Sequence, residues 1–358
     1  HDNPIWASDC NVLTEKSKEA NIKYIYHILK FNQENIYKLQ RGSAQPHVYA
    51  SDLSEIPIPK PNIETQNKII EIMKEANLLK EKLEKEADKL LSSIDEYLLR
   101  ELGINLPKKE TDLKNRIFIK KANDLIGKRI DIFGYLPFYK HLKENIQNCK
   151  YSYKKLKDLI IHTVIGNWGL EEKDIIEENK KDKFKKCLII RSTEFGEYDL
   201  NIDSKRKQYR FIEKEKLHKL NICSGDILIE KSGGSENQPV GRVVFLTDEF
   251  TKNKNICFSN FIQKITLNNE LNKKFVFYCL HTFHSIKLTE NMQSQTNGIK
   301  NLILSEYYDI PIPLPPIEIQ QKIVNEINER KQKALRLQKE AKETLENAKS
   351  KIEEIIFK

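Results

Sequence analysis

Residues Ile56–Ile70 read IPIPKPNIETQNKII, and residues Ile310–Val324 read IPIPLPPIEIQQKIV. One chain of 358 residues therefore writes the same sentence twice. An internal repeat shapes the whole fold, so it is the place to begin. In each copy the prolines (Pro57, Pro59, Pro61; Pro311, Pro313, Pro315, Pro316) fix φ and oppose helix, making a stiff extended lead-in. Glu64 and Glu318 then stand where a helix N-terminus favours negative charge.

Each block leads into a long helix. From Glu64 to Leu102 there is no Pro or Gly, and Gly103 ends the run. Apolar residues recur in steps of three and four at Ile69, Ile72, Ala76, Leu79, Leu83, Ala87, Leu90, Ile94 and Leu98. The second copy repeats the stripe at Ile323, Ile327, Ala334, Leu337, Ala341, Leu345, Ala348, Ile352 and Ile355, with a polar turn at Arg330 and Lys331. Some 40 residues of helix reach ~60 Å. A narrow apolar stripe on so long a rod calls for a coiled-coil partner, and the alanines let two backbones approach closely. The competing reading is two separate amphipathic helices, each lying on its own domain.

The repeat also extends upstream. IWASDCNVL (5–13) resembles ICFSNFIQKI (256–265), and KYIYHILKF (23–31) resembles KFVFYCLHTF (274–283). QRGSAQPHVYASDL (40–53) loosely matches QSQTNGIKNLILSEY (293–307). Residues from about 120 to 254 have no counterpart before the first copy. The chain thus holds one complete globular unit and the back half of another. Within the complete unit, CLIIRS (187–192), DILIEKS (226–232), GRVVFL (241–246) and FSNFIQKITL (258–267) read as strands, and 139–148 and 272–282 as short helices. Residues 105–130 read as a polar connector.

Composition sets outer limits. The chain is 39% hydrophobic and 32% charged with a net charge of +9, which permits an anionic partner without requiring one. No apolar run approaches the ~20 residues of a membrane span, and HDNPIWASDC lacks the features of a secretory signal. Six isolated cysteines fit a reducing compartment.

Four loops carry residue types that suit DNA. The first holds Gln40, Arg41, Ser43, Gln45 and His47, where Arg and Gln are readers of guanine and adenine edges. Lys231, Ser232, Gly233, Gly234, Ser235, Asn237, Gln238 and Arg242 combine donors with two glycines that permit close backbone approach. Lys205, Arg206, Lys207, Tyr209 and Arg210 form a basic cluster with an aromatic. Gln293, Gln295, Asn297 and Lys300 sit where the first copy has its Gln-Arg loop. Asn167 and Trp168 offer an amide and an aromatic. The bland alternative for each is an ordinary solvated loop, and for Trp168 a core residue.

Catalytic patterns are weak. Asn3-Pro4-Ile5-Trp6 lacks the second proline of an amino-methyltransferase motif, and no Gly-rich cofactor loop precedes it. Asp226, Glu230 and Lys231 lack the E-x-K order of a nuclease. His281 and His284 share a helix face without a further metal ligand, and no P-loop is present.

The order of globular part, IPIP lead-in and long helix, written twice, resembles the specificity (S) subunit of type I restriction-modification systems. RGSAQPHVYASDLSEIPIP, LLSSIDEYLL, SGDILIEKSGGS and IPIPLPPIEIQQKIV carry the resemblance. It implies an α+β chain: mixed α/β target-recognition domains separated by two long antiparallel helices forming a coiled coil. Residues 1–61 would be the C-terminal part of the first recognition domain and 62–104 the first spacer helix. Residues 105–316 would hold the connector and complete second domain, and 317–358 the second spacer helix. A ~60 Å separator spans roughly 17 base pairs, more than one DNA turn. The resemblance further implies double-stranded DNA as partner, a bipartite target, and a prokaryotic cytoplasmic setting. It implies docking of adenine N6-methyltransferase subunits, and through them restriction subunits, with S-adenosylmethionine on the methyltransferase and no cofactor or catalytic residue in this chain. It also implies further residues ahead of His1. Two arrangements satisfy that: a separate S subunit, or the C-terminal specificity region of a fused type IIG enzyme.

Overall fold

The computed structural model describes residues 10, 12–14, 19–42, 46–108, 117, 119, 121–124, 132–177, 181–202, 204–235, 238–252, 255–296 and 298–357. Ser43, Gln45, Asn237 and Asn297 lie outside these, as do residues 1–9 and most of the connector. The chain opens with α1 (Ile22–Phe31), α2 (Gln33–Lys38), α3 (Ala50–Ser54) and the long α4 (Ile63–Leu102). Then come α5 (Pro137–Gln147), β1 (Tyr153–Lys155), β2 (Ile160–Ile165), α6 (Glu172–Glu177), β3 (Phe184–Ile190), β4 (Gln208–Glu213) and α7 (Lys214–Leu220). Next are β5 (Ile227–Glu230), β6 (Ser232–Gly234), β7 (Val243–Phe245), α8 (Asp248–Thr251), β8 (Ile256–Phe258) and β9 (Ile262–Leu267). The chain closes with α9 (Lys273–Ser285), β10 (Gln293–Thr296), β11 (Ile299–Leu302), α10 (Leu304–Tyr308), β12 (Pro311–Pro313) and α11 (Ile317–Phe357). Two compact units result, residues 1–92 with 330–358, and residues 93–329.

In the first unit, the opening half of α4 packs against the closing half of α11. Ile69, Met73 and Ala76 share one core with Ala348 and Ile352, and α1 adds Tyr24 and Ile28. Lys333 pairs with Glu86 at 3.3 Å, so the two helices run antiparallel. The buried line on α4 is Ile69, Met73, Ala76, Leu83, Ala87, with Lys80 half-buried between. These steps of four and three are the 3.5-residue repeat of a coiled coil. Leu79, expected on the seam, is 44% exposed, because the heptad phase places Lys80 there. Met73, 1% exposed, joins the seam beside Ile72, which is half-buried and packs against the same core. On α11 the small residues Ala334, Ala341 and Ala348 are buried as the stripe requires, and Arg330 and Lys331 are half-buried.

The repeated lead-in has a structural cause in a residue the dipole argument passed over. Gln66 is completely buried. Its Oε1 accepts from the Asn21 backbone N–H at 2.8 Å, and its Nε2 donates to the carbonyls of Glu19 and Pro61, each at 2.9 Å. Asn21 in turn caps α1 by accepting from Lys23 N–H at 3.0 Å. In the second unit Gln320 does the same. Its Oε1 accepts from Asn272 N–H at 3.2 Å and its Nε2 donates to the Pro315 carbonyl at 2.8 Å, while Asn272 caps α9 through Phe275 N–H at 3.1 Å. Each glutamine satisfies a backbone N–H at the cap of a short helix and the carbonyl of a lead-in proline. The E-x-Q of the repeat is thus a clasp that ties a helix cap to the start of a long helix.

The second unit is mixed α/β. Its central sheet has the order β2-β9-β5-β7, all antiparallel neighbours. A second sheet is ordered β4-β3-β8, and a third β10-β11-β6. Cys187, Ile189, Leu228, Val244 and Phe258 lie in one apolar core between the first two. The expected single strand over 258–267 is two, β8 and β9. Ile262 N–H donates to the Ser259 carbonyl at 3.0 Å, closing a turn between them. Two buried ion pairs brace the central sheet. Lys264, fully buried, gives its three donors to Asp226, the Asn221 carbonyl and Thr266 at 2.9, 2.8 and 3.1 Å. Glu230, 2% exposed, takes both arms of the Arg242 fork at 2.8 and 2.9 Å. The Asp226 and Glu230 carboxylates that resembled nuclease spacing are therefore each held by a cation inside the sheet.

Candidate nucleic-acid interface

One rim of the second unit gathers segments that are far apart in sequence. It is the end of the central sheet where β2 and β5 finish and β9 begins. Gly166 N–H donates to the Ile262 carbonyl at 3.1 Å, and Asn167 N–H to the Phe258 carbonyl at 2.8 Å. From the other side, Lys231 N–H donates to the Phe261 carbonyl at 2.9 Å. Past Lys231 the chain enters β6, which pairs with β11 at Ser232↔Asn301 and Gly234↔Lys300. β11 pairs with β10 at Gln295↔Lys300. Leu302 N–H donates back to the Lys231 carbonyl at 2.8 Å. The Lys231 segment and the Gln293 segment, two separate loops in sequence, are one three-stranded sheet.

Local chemistry explains the shape. Gly233 has φ +97°, a left-handed conformation that favours glycine. A Cβ on Gly234 would come within 2.7 Å of Val240, so the strand needs glycine there for space. Ser235 N–H donates to the Gln238 carbonyl at 2.9 Å and closes the turn beyond the strand. Ser232 Oγ donates to Asn301 Oδ1 at 2.5 Å, tying β6 to β11 by side chains as well. At the hairpin tip Gly298 has φ +79° and open space about it. Gln295 is exposed, and Lys231 and Lys300 are half-exposed.

Several expected readers turn out to be engaged in the scaffold. Arg242 spends its fork on Glu230, and its Nη2 donates also to the Ser192 carbonyl at 2.9 Å. Its guanidinium holds the sheet together instead of facing outward. Gln293 is 9% exposed and donates to the Thr289 and Glu290 carbonyls, each at 3.3 Å. His281 and His284 point their Nε2 atoms at separate carbonyls, of Glu197 at 2.5 Å and of Pro239 at 3.2 Å. Burial pushes His284 below the ordinary imidazole range.

The basic cluster of 205–210 is divided by strand alternation, because Tyr209 and Arg210 are consecutive in β4 and face opposite ways. Lys205, Arg206 and Lys207 are exposed. Lys207 and half-exposed Tyr209 line an open pocket of about 630 Å³ with Lys186, whose ammonium lies 5.9 Å from the Tyr209 ring. Arg210 instead lies 5.1 Å from the Trp168 ring and pairs with Glu171 at 2.6 Å. Arg210 and Lys173 together hold the Glu171 carboxyl below its usual range. Trp168 is exposed at the same rim as Asn167, whose Oδ1 accepts from Gly169 N–H at 2.8 Å. Phe261, exposed beside Gly233, gave no signal in the sequence, where it runs into an apparent strand.

In the first unit the two ends of the Gln-Arg loop are tied together. Arg41 and His47 exchange two backbone hydrogen bonds at 2.9 Å, and Gly42 has φ +110°. Arg41 pairs with Asp52 at 2.5 Å while remaining largely exposed, and Gln40 is exposed.

Known proteins place the chain. The model of the type I restriction modification DNA specificity domain matches residues 1–92 and 165–347, well over half of the sequence. The chain belongs to this family of type I restriction-modification specificity subunits. Among solved structures it is similar to the HsdS subunit of Thermoanaerobacter tengcongensis, with 16% identity, a TM-score of 0.41, and coverage of 95% of this chain and 70% of that one. It is similar also to the type I system S subunit of M. genitalium, with 18% identity, a TM-score of 0.45, and coverage of 94% and 73%. Among the described residues, no helix is long and apolar enough to cross a membrane.

Proposed function

We propose that this chain binds double-stranded DNA sequence-specifically through the rim of its second unit. The observation that carries the reading is the joining of β6 and the β10–β11 hairpin into one sheet bearing Lys231, Gln295 and Lys300. A two-stranded ribbon of this kind is one of the shapes that fits a major groove. Lysines there would neutralise phosphates, and the glutamine amide suits adenine. The Arg41–His47 loop of the first unit is the candidate contact for the other half of a bipartite target. The chain binds and positions, and leaves methyl transfer to adenine N6-methyltransferase subunits that carry S-adenosylmethionine and dock on it, with restriction subunits joining through them.

The test is a mobility-shift series over salt concentration, on random-sequence and selected duplexes, with and without an adenine N6-methyltransferase subunit of a type I system. The expected result is salt-dependent binding that gains sequence preference with the partner. Binding that ignores salt and sequence, or no binding, overturns the reading.

A further inference from the structure

Phe261 is a large apolar side chain, 43% exposed, between two residues of the core, Phe258 and Ile262, that are wholly buried. Its exposure comes from a turn held by backbone bonds on every side. Ser259 N–H donates to the Ile190 carbonyl at 2.8 Å, and Ile262 N–H to the Ser259 carbonyl at 3.0 Å. The Phe261 carbonyl accepts from Lys231 N–H at 2.9 Å and Ser232 N–H at 3.3 Å. The backbone therefore cannot swing the ring inward without breaking these bonds. On its inner side the ring meets Gly233, where a Cβ would lie 3.6 Å from it. Around it stand Lys231 and the sheet that carries Lys300 and Gln295.

An exposed ring on a backbone held in place, among hydrogen-bond donors, matches one feature of a major groove, the thymine C5-methyl, the apolar group among its donors and acceptors. We infer that Phe261 is a specificity-determining residue that packs on a thymine methyl in the half-site read by the second unit. The alternative apolar role, a wedge between base pairs, belongs to minor-groove binders. A strand ribbon beside the ring favours the major groove. The inference rests on the DNA reading above.

The target is first selected from random duplexes by the full chain with its methyltransferase partner. Each thymine of the half-site is then replaced by deoxyuridine, which lacks only the methyl. One position is expected to weaken wild-type binding about fourfold, the worth of one buried methyl, and that effect should vanish in Phe261→Ala. Phe261→Leu, which keeps an apolar body, should retain part of it. Thermal melting of both variants confirms that they fold. Identical deoxyuridine profiles in wild type and Phe261→Ala overturn the inference and leave DNA binding standing. A kink reported by 2-aminopurine fluorescence that disappears in Phe261→Ala without a methyl effect overturns it in favour of a wedge. Absence of salt-dependent binding by wild type overturns both.

Discussion

The two copies of the repeat can be compared part by part. The clasps are alike: Gln66 with Asn21, and Gln320 with Asn272, use the same donor and acceptor pattern. The segments just upstream are not. In the first copy, Arg41 and His47 are tied together by two backbone bonds. In the second, the matching stretch is a hairpin, β10–β11, added to a strand from elsewhere in the chain. Short helices come after both, α3 and α10, so the chain resumes the same path. The contrast marks a division of labour. Groups that must satisfy buried backbone are repeated, since few side chains can do so. The segments between carry different polar groups on a common frame.

Arg242 tests where the frame ends. Removing it leaves the Glu230 carboxylate buried and unpaired, a loss of about 3–5 kcal/mol. Arg242→Ala should show this in denaturant unfolding, because the residue belongs to the frame. Unchanged stability with weakened DNA binding would move it to the reading surface and erase this division of labour.

The clasps themselves predict a matched pair of smaller effects. Gln66→Ala and Gln320→Ala each strand buried backbone groups, at a cost of about 1–3 kcal/mol. Comparable losses of stability in the two variants are expected. A large loss in one and none in the other would show that the repeat is alike only in outline.

On the reading side, stability and binding should separate. Lys231→Ala and Lys300→Ala should each lower the salt slope of DNA binding by about 1, with stability within roughly 0.5 kcal/mol of wild type. Unfolding of either variant would place the lysine in the frame.

The weakest of these effects concerns acid. Burial lowers the affinity of His284 for a proton in the folded state, so the unfolded chain binds more protons as pH falls through the ordinary imidazole range near ~6.5. His284 should therefore make stability rise with pH below that range and flatten above it. Melting temperatures between about pH 5 and 7 should show this slope, and His284→Gln should shrink it.

Much of the frame was legible because helix periodicity is local. The lengths of α4 and α11 and the buried alanines of α11 come from apolar spacing and the stops around it. The exchange of Leu79 for Lys80 on the seam was not, since residue type pointed one way and the heptad phase, set by the partner helix, another. The Asn-Gln clasp was visible only as repeated letters, because its bonds join residues 45 and 48 positions apart.

The proposed interface was less legible. Lys231, Gln295, Lys300 and Trp168 were picked out by residue type, as were Arg242 and Gln293, whose polar groups the scaffold consumes. Residue type tells what a side chain can bond, and not whether a neighbour has already taken it. The repeat, the two long helices and the stock of donors could be read from the letters, because these depend on spacing and composition along the chain. Folding in three dimensions was needed to join β6 and β10–β11 into one sheet, to face Arg242 toward Glu230, and to hold Phe261 in solvent on the turn at Ser259. Those outcomes rest on hydrogen bonds between distant segments, which local sequence cannot specify.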